Sequence, residues 1–383
     1  MFNTDLGIFC SAHDNWEELL SAEPYNLKIS EDGPYVMFKY NQLSSDFNNP
    51  IVREARGIIF RKGEWESPVC WAFNKFGNYG ESYVPDIDWS TAFVTEKIDG
   101  SLIKVWWDGY WHVSTNGTID AFKADLGDIK MANFGNYFIS AIEKYYDRFD
   151  DFFRGLETQY TYIFELVGPY NRVVIPYEET DLYFLGARNN ANGEEYYCTN
   201  AMLGAFGLGR FKIPKLYPIY SLNDCIAATQ KFSWDQEGFV VVDAAGNRVK
   251  IKSPSYVLAH FARNNNVITR KHLIRVILEG EVEEFLCYAS DYEDRLRDCQ
   301  KLINAFYSIG NSLATSCRKA RSMTRGAYSE LVKSFPKMFH GLLYYNYDRD
   351  ISAEEYTSGW HLNKWEEYLE AVEKLQHEYF CKY

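Results

Sequence analysis

Hydrophobic and polar positions along this chain fall into two textures that meet near residue 253. Before it, short apolar runs alternate with turn signals. Tyr35–Tyr40, Ala92–Thr95, Tyr160–Val167 and Leu182–Ala187 have strand composition. Leu102–Trp107, Asp108-Gly109 and Tyr110–Thr115 make a hairpin pattern, because Asp-Gly suits a tight primed turn. Between the strands, Phe134–Phe153 carries apolar residues at helical spacing. A second hairpin pattern runs through Gly238–Asp243, Ala244–Asn247 and Arg248–Lys252. Side chains two apart on a strand share a face, so Lys250 and Lys252 point one way and Val249 and Ile251 the other. Glu237 stands at the mouth of the paired strand. This hairpin either lines a phosphate pocket or is an amphipathic strand with its polar face in water.

After residue 253 strand signals nearly vanish. Pro254–Phe261, Lys271–Leu278, Glu283–Tyr307, Ala327–Leu343 and Leu362–Phe380 have helical periodicity. The pattern predicts a mixed, strand-rich domain over 1–253, with an N-terminal extension over about 1–40, and a helical domain over 254–383, a normal domain size.

Composition narrows the class. A chain of 383 residues, 46% hydrophobic and 17% aromatic, has room for two domains with real cores. No run is long and apolar enough to cross a bilayer, and Met1-Phe2-Asn3-Thr4-Asp5 lacks the basic and apolar regions of a signal peptide. The eight cysteines are scattered with no C-x-x-C pair, which argues against a zinc site and for a reducing cytoplasm. The net charge of −13 disfavours nucleic acid as a partner. The charge is uneven, however: of 40 basic and 53 acidic residues, 17 and 18 fall after residue 253. Two basic clusters lie there, Arg263, Arg270, Lys271, Arg275 and Arg318, Lys319, Arg321, Arg325. Such clusters permit RNA binding without requiring it.

The chemistry centres on Lys97-Ile98-Asp99-Gly100-Ser101. A lysine two residues before Asp-Gly is how covalent nucleotidyltransferases present an amine to the α-phosphate of ATP. An amine that attacks phosphorus must first be partly desolvated or set beside other cations, so that it can lose its proton. Alone, the run also fits a surface strand and an Asp-Gly turn. Other segments accompany it in order: Glu54-Ala55-Arg56-Gly57, Phe73-Asn74-Lys75-Phe76-Gly77-Asn78, Phe164-Glu165-Leu166-Val167-Gly168, Leu185-Gly186-Ala187-Arg188, Glu237-Gly238-Phe239-Val240-Val241 and Val249-Lys250-Ile251-Lys252-Ser253. Each is weak by itself; the ordered set is strong, because independent coincidences multiply.

This order resembles the adenylyltransferase domain of ATP-dependent nucleic acid ligases and mRNA capping enzymes, and more closely the bacteriophage RNA ligase 1 family of tRNA-repair ligases. The resemblance covers about 40–253, reaches into Ser255–His260, and agrees with a helical C-terminal domain. It implies an α+β fold, with a nucleotidyltransferase domain built on antiparallel sheets and a helical RNA-specificity domain. It implies an ATP-dependent RNA ligase that joins 5′-phosphate and 3′-hydroxyl ends through lysyl-AMP and RNA-adenylate, with Mg²⁺ as metal and a tRNA broken in its anticodon loop as substrate. It further implies a kinase-phosphatase that heals the ends, action as a monomer, and a place in the cytoplasm of an infected bacterial host.

By the same resemblance Lys97 is the nucleophile. Tyr40, Arg56, Lys75, Gly100, Glu165, Glu237, Lys250 and Lys252 match nucleotide-binding positions. Glu165 and Glu237 match metal-linked acids, and Glu283 matches one loosely. Arg318, Lys319, Arg321 and Arg325 are the expected RNA contacts. Tyr40 also fits ordinary core, and Tyr256 fits helix packing equally well. Two departures stand out: Asn116 replaces a lysine, putting one phosphate contact in doubt, and Gly77 stands where an aromatic is common, so adenine stacking is expected to differ. The competing reading, a DNA ligase or capping nucleotidyltransferase, calls for an OB-fold of short strands after residue 253.

Overall fold

A computed structural model describes residues 4–262 and 268–380. Arg263, of the first basic cluster, lies outside them. The chain divides into two compact units, 1–260 and 261–383.

The first unit is built on three antiparallel sheets. In one, β1 (Lys28–Asp32), β2 (Tyr35–Lys39) and β3 (Arg56–Arg61) lie in chain order. Helices Asp5–Ala12, Trp16–Ser21 and Pro50–Glu54 cover it, and Leu6, Leu20, Phe38, Val52 and Phe60 close their shared core. The chain then runs through β4 (Phe93–Glu96), β5 (Ser101–Trp107), β6 (Trp111–Thr115), β7 (Tyr160–Val167), β8 (Asp181–Asn189), β9 (Glu195–Tyr197), β10 (Leu216–Tyr217), β11 (Gly238–Val242) and β12 (Arg248–Lys252). These form a five-stranded sheet in the order β6-β5-β7-β8-β9 and a four-stranded sheet in the order β10-β4-β11-β12.

Both expected hairpins form. Trp107 pairs with Trp111 across the Asp-Gly turn, and Val242 pairs with Arg248. Gly109 adopts φ +77°, the left-handed conformation that such a turn requires. Val249 and Ile251 pack with Val94, Phe239 and Val241, so the lysine face of β12 is turned away from that core as alternation predicts. The stretch Phe134–Phe153 is two helices, Phe134–Ile142 and Phe149–Phe153. Their buried Phe138, Ile142 and Phe152 pack on the face of the five-stranded sheet with Phe164 and Phe184.

The second unit is helical, and no strand occurs beyond β12 among the described residues. Its longest helix, Glu293–Arg318, buries Leu296, Leu302, Ile303 and Phe306, and Trp365 of helix Leu362–Phe380 packs edge-on against Phe306. The expected helix Ala327–Leu343 is interrupted at Pro336, which cannot continue the ladder, giving Arg325–Lys333 and His340–Asp348. No described helix is long and apolar enough to cross a membrane.

The contact division falls at residue 260, beyond the change of texture at 253. The helix Pro254–Ala262 explains the difference. Its Tyr256, 2% exposed, donates a hydrogen bond to Asp99 Oδ1 at 2.8 Å, which ties this turn to the strand domain.

Candidate active site

Residues 97–100 are the connection between β4 and β5, and so between two sheets. Lys97 therefore stands where elements of both converge. Its main-chain N–H donates to the carbonyl of Gly238 at 2.9 Å, which seats it at the start of β11 beside Glu237. Its Nζ lies 2.6 Å from Glu237 Oε1, with the glutamate side chain 3% exposed and the lysine 21%. Glu237 Oε2 is buried and has no hydrogen-bond partner. Burial raises the Glu237 carboxyl above its ordinary range, against the lowering pull of Lys97 and Lys252.

Two glycines set this geometry. A Cβ on Gly100 would meet the Leu166 carbonyl at 2.5 Å, so only glycine lets the strand after Lys97 lie this close to β7. Gly238, at φ +143°, would place a Cβ 2.1 Å from the Ile251 carbonyl. Asp99 anchors the turn: its Oδ2 accepts from the N–H groups of Val174 at 2.9 Å and Ile175 at 2.7 Å, and its Oδ1 accepts from Tyr256. The Asp of the lysine motif is thus a buried clamp (5% exposed). The bond to Tyr256 joins the two readings left open for that tyrosine, since it packs and also ties the last turn of this unit to the motif.

Lys97 opens onto a cavity of about 270 Å³ whose walls include Arg56, Gly100, Asn116, Glu165 and Lys250. Phe93, Leu185, Val240 and Val242 add apolar surface to its walls. Glu165 sits on β7 opposite Leu102. Burial and the Glu237 charge push its carboxyl up to about 7, against Lys97 and Arg56. Lys250 is held well below its ordinary value, first by burial and then by Lys75, Lys252, Lys97 and Arg56. The Lys250 ammonium lies 4.9 Å from the Phe76 ring centre, which also receives the Arg56 guanidinium at 5.2 Å. Arg56 Nη1 is buried without a partner.

The structure thus brings Lys97, Arg56, Gly100, Glu165, Glu237, Lys250 and Lys252 together. Lys75 stands one step away. It lines an adjoining cavity of about 630 Å³ that shares Phe76, Tyr197 and Arg248 with the first. Tyr40 backs Lys75, with its ring centre 5.1 Å from the ammonium, and neither residue lines the Lys97 cavity. Glu283 is exposed on helix Val282–Tyr288 of the second unit and is not among the lining residues. The arginines of the expected RNA patch face acids of their own unit: Arg318 and Arg321 meet Asp350 at 2.9 and 3.1 Å, and Arg325 meets Asp348 at 3.0 Å. Of the other cluster, Arg270, Lys271 and Arg275 pair with Glu373, Glu366 and Glu279. Local acids therefore offset these cations; the Lys319 side chain lies outside the described residues.

At Gly77 the neighbours leave no room for a side chain: a Cβ there would meet Val84 at 2.5 Å and Glu81 at 2.7 Å, with Tyr83 at 3.0 Å. Sequence reasoning missed Phe76 and Arg248. Arg248 precedes Lys250 and Lys252 at the same two-residue spacing, and that alternation was the available signal. Its guanidinium lies 4.2 Å from the Phe73 ring centre and pairs with Glu195 at 2.8 Å.

The raised Glu165 carboxyl has a consequence for stability. Between the ordinary 4.5 and about 7 the unfolded chain releases this proton while the folded chain keeps it, so folding weakens as pH rises through that window. Glu165→Gln removes the loss. Its melting temperature is expected to exceed that of the wild type above pH 7 and to converge with it near pH 4.5, while adenylyl transfer falls at least about 100-fold. Thermal melts across pH, beside adenylylation rates, check both halves.

Antiparallel sheets that enclose a lysine, two raised glutamates and a cluster of cations define a nucleotidyltransferase domain. Residues 54–256 match the RNA ligase family of the T4 RNA ligase 1 type, and the chain belongs to that family. A protein of Autographa californica nuclear polyhedrosis virus, named as a bifunctional polynucleotide kinase/RNA ligase, is 28% identical over 79% of this chain, which spans 44% of that relative's length. An RNA ligase of Rhodothermus phage RM378 is 26% identical, over 74% of this chain and 76% of its own. Among solved structures, an archaeal ATP-dependent RNA ligase aligns over 76% of this chain and 77% of its own, with 14% identity and a TM-score of 0.47.

Proposed function

We propose that this chain is an ATP-dependent RNA ligase with Lys97 as its nucleophile. The observation that carries the reading is the contact of Lys97 Nζ with the buried Glu237 carboxylate, inside a cavity lined by Arg56, Glu165 and Lys250. Lys97 passes a proton to Glu237, whose raised carboxyl suits it to accept one, and attacks the α-phosphorus of ATP. The N–P bond forms, the bond to the bridging oxygen breaks, and pyrophosphate leaves. AMP then passes from Lys97 to the 5′-phosphate of an RNA, and a 3′-hydroxyl displaces AMP to form the phosphodiester. Lys250 and Lys252 stabilise charge on the transferring phosphate, and Lys75 helps from the adjoining cavity.

The buried, unpartnered Glu237 Oε2 and the carboxyl of Glu165 are hard oxygen donors, as a divalent cation requires. They would hold Mg²⁺, which supplies charge neutralisation on the phosphates when bound. The helical second unit is the proposed RNA-positioning module. A tRNA opened in the anticodon loop is the proposed substrate, with a polynucleotide kinase-phosphatase to prepare its ends. The kinase named in the baculovirus relative supports that pairing. We assign the chain to the cytoplasm of an infected bacterium, acting as a monomer; the seven described cysteines, all free, fit a reducing compartment. The helical texture after β12 favours this reading over a DNA ligase or capping enzyme with an OB-fold.

The test is incubation with Mg²⁺ and ATP labelled at the α-phosphate, followed by single-stranded RNA or nicked DNA bearing 5′-phosphates. An acid-labile protein label and sealing of RNA are expected. Absence of label, with no AMP adduct in the mass spectrum of the purified protein, overturns the proposal. Preference for GTP points to capping, and preference for nicked DNA to DNA repair.

A further inference from the structure

Asn116 lines the Lys97 cavity, and its Oδ1 is buried with no hydrogen-bond partner. A carbonyl oxygen taken out of water without a donor is costly, so a buried orphan on a cavity-lining residue needs an explanation. A second orphan, Arg56 Nη1, belongs to the same wall. Their main chains approach at Gly57, which follows Arg56. A Cβ built on Gly57, at φ +76°, would lie 2.7 Å from the Asn116 carbonyl and 2.9 Å from Lys104 Nζ. Only glycine permits that approach. Lys104, fully buried, donates to the Gly57 carbonyl and fixes the same stretch of main chain. The main chain beside Arg56 is therefore held against that of Asn116.

One orphan is an acceptor and the other a donor. A phosphate oxygen satisfies Arg56 but repels the Asn116 oxygen. A hydroxyl satisfies both, giving its proton to Asn116 and a lone pair to Arg56. Position separates a sugar hydroxyl from a base edge. Asn116 follows Thr115, the partner of Ile103, and so falls in the cross-strand row of Leu102 and Glu165. Asn116 and Glu165 line the cavity from the five-stranded side, whereas Phe93, Val240 and Val242 line it from the four-stranded sheet, in the rows of Lys250 and Arg248, and give the base apolar surface.

We propose that Asn116, with Arg56, reads a ribose hydroxyl of the nucleotide that Lys97 attacks, which makes Asn116 a sugar-selecting residue. The inference rests on the ligase reading above. It also gives the lysine-to-asparagine departure a positive role: a lysine ammonium has no lone pair for a hydroxyl proton, whereas a carboxamide does.

Self-adenylylation is the readout, with ATP, 2′-deoxy-ATP and 3′-deoxy-ATP offered to the wild type, Asn116→Ala and Asn116→Asp. Wild type is expected to lose about 10-fold in kcat/KM, chiefly through KM, when the hydroxyl it reads is removed. Asn116→Ala is expected to lose part of that factor with ATP and to lose less further with that deoxynucleotide than the wild type does, because Arg56 alone is left to bond the hydroxyl. Asn116→Asp keeps an acceptor and is expected to keep the preference. The two deoxy arms tell which hydroxyl is read. Equal use of all three nucleotides by the wild type overturns the inference, and so does the same further loss in Asn116→Ala as in the wild type. Either result leaves wild-type labelling by ATP intact, whereas no wild-type label at all removes the ligase reading itself. Melting curves of both variants separate these outcomes from misfolding.

Discussion

Lys97→Ala is expected to take up no label from ATP, a loss of at least about 1,000-fold, and yet to seal RNA that already carries a 5′-adenylate. The two halves follow from the order of the chemistry. Only the first step needs the amine as nucleophile. In the last step the 3′-hydroxyl attacks phosphorus and AMP leaves, and for that Arg56, Glu165, Glu237 and Lys250 remain in place. The physical cost of the substitution is modest for a buried partner. Glu237 Oε1 loses its contact at 2.6 Å inside a site where the glutamate is 3% exposed, and a stranded carboxylate there would cost several kcal/mol. Its carboxyl is already raised by burial, and without Lys97 it rises further and takes up a proton. The variant is therefore expected to stay folded, with its stability falling more steeply toward alkaline pH than that of the wild type. Loss of sealing on pre-adenylylated RNA by a folded Lys97→Ala protein would contradict the restriction of Lys97 to the two adenylyl-transfer steps.

Asp99→Ala is expected to cost about 3–5 kcal/mol in stability. It strands the N–H groups of Val174 and Ile175 and the hydroxyl of Tyr256, and the loss lies in a side chain 5% exposed. Tyr256→Phe removes one of the three bonds and is expected to cost about 1 kcal/mol. Asp99→Asn is expected to fall between them. It can still accept from the main chain and donate to the tyrosine, without the strength of an ionised acceptor. Denaturant unfolding of the three variants gives the order. Asp99→Ala no less stable than Tyr256→Phe would show that the 174–175 contacts carry no weight.

The sequence was most informative where a local rule dictates geometry. The Asp108-Gly109 turn and the alternation of β12 fixed two hairpins and the orientation of Lys250 and Lys252, because pleat and turn chemistry are properties of adjacent residues. The edge strands β1, β9 and β10 were not legible, since Lys28–Asp32 is mostly polar and Leu216–Tyr217 is two residues long. Their strand character comes from partners elsewhere in the chain. The site followed the same division. Motif order pointed to Lys97, Glu165 and Glu237, but the clamp on Asp99 joins residues 75 to 157 positions apart and could not be read from spacing. Nor could the filling of the Gly77 space by Val84 and Tyr83, or the separation of Lys75 into an adjoining cavity. The net charge of −13 pointed away from nucleic acid, and the cavity shows why a total misleads: its cations are concentrated at one place in an acidic chain.

The hydrogen bond from Tyr256 to Asp99 also bears on how this family can trade parts. A module exchanged at residue 253 would carry the tyrosine away and leave the turn behind Lys97 short of one of its fastenings. A recombination point after residue 260 keeps the fastening with the strands it serves. Natural or engineered chimaeras that pair this strand domain with a foreign C-terminal module are thus constrained to inherit the first turns of the helix that follows β12.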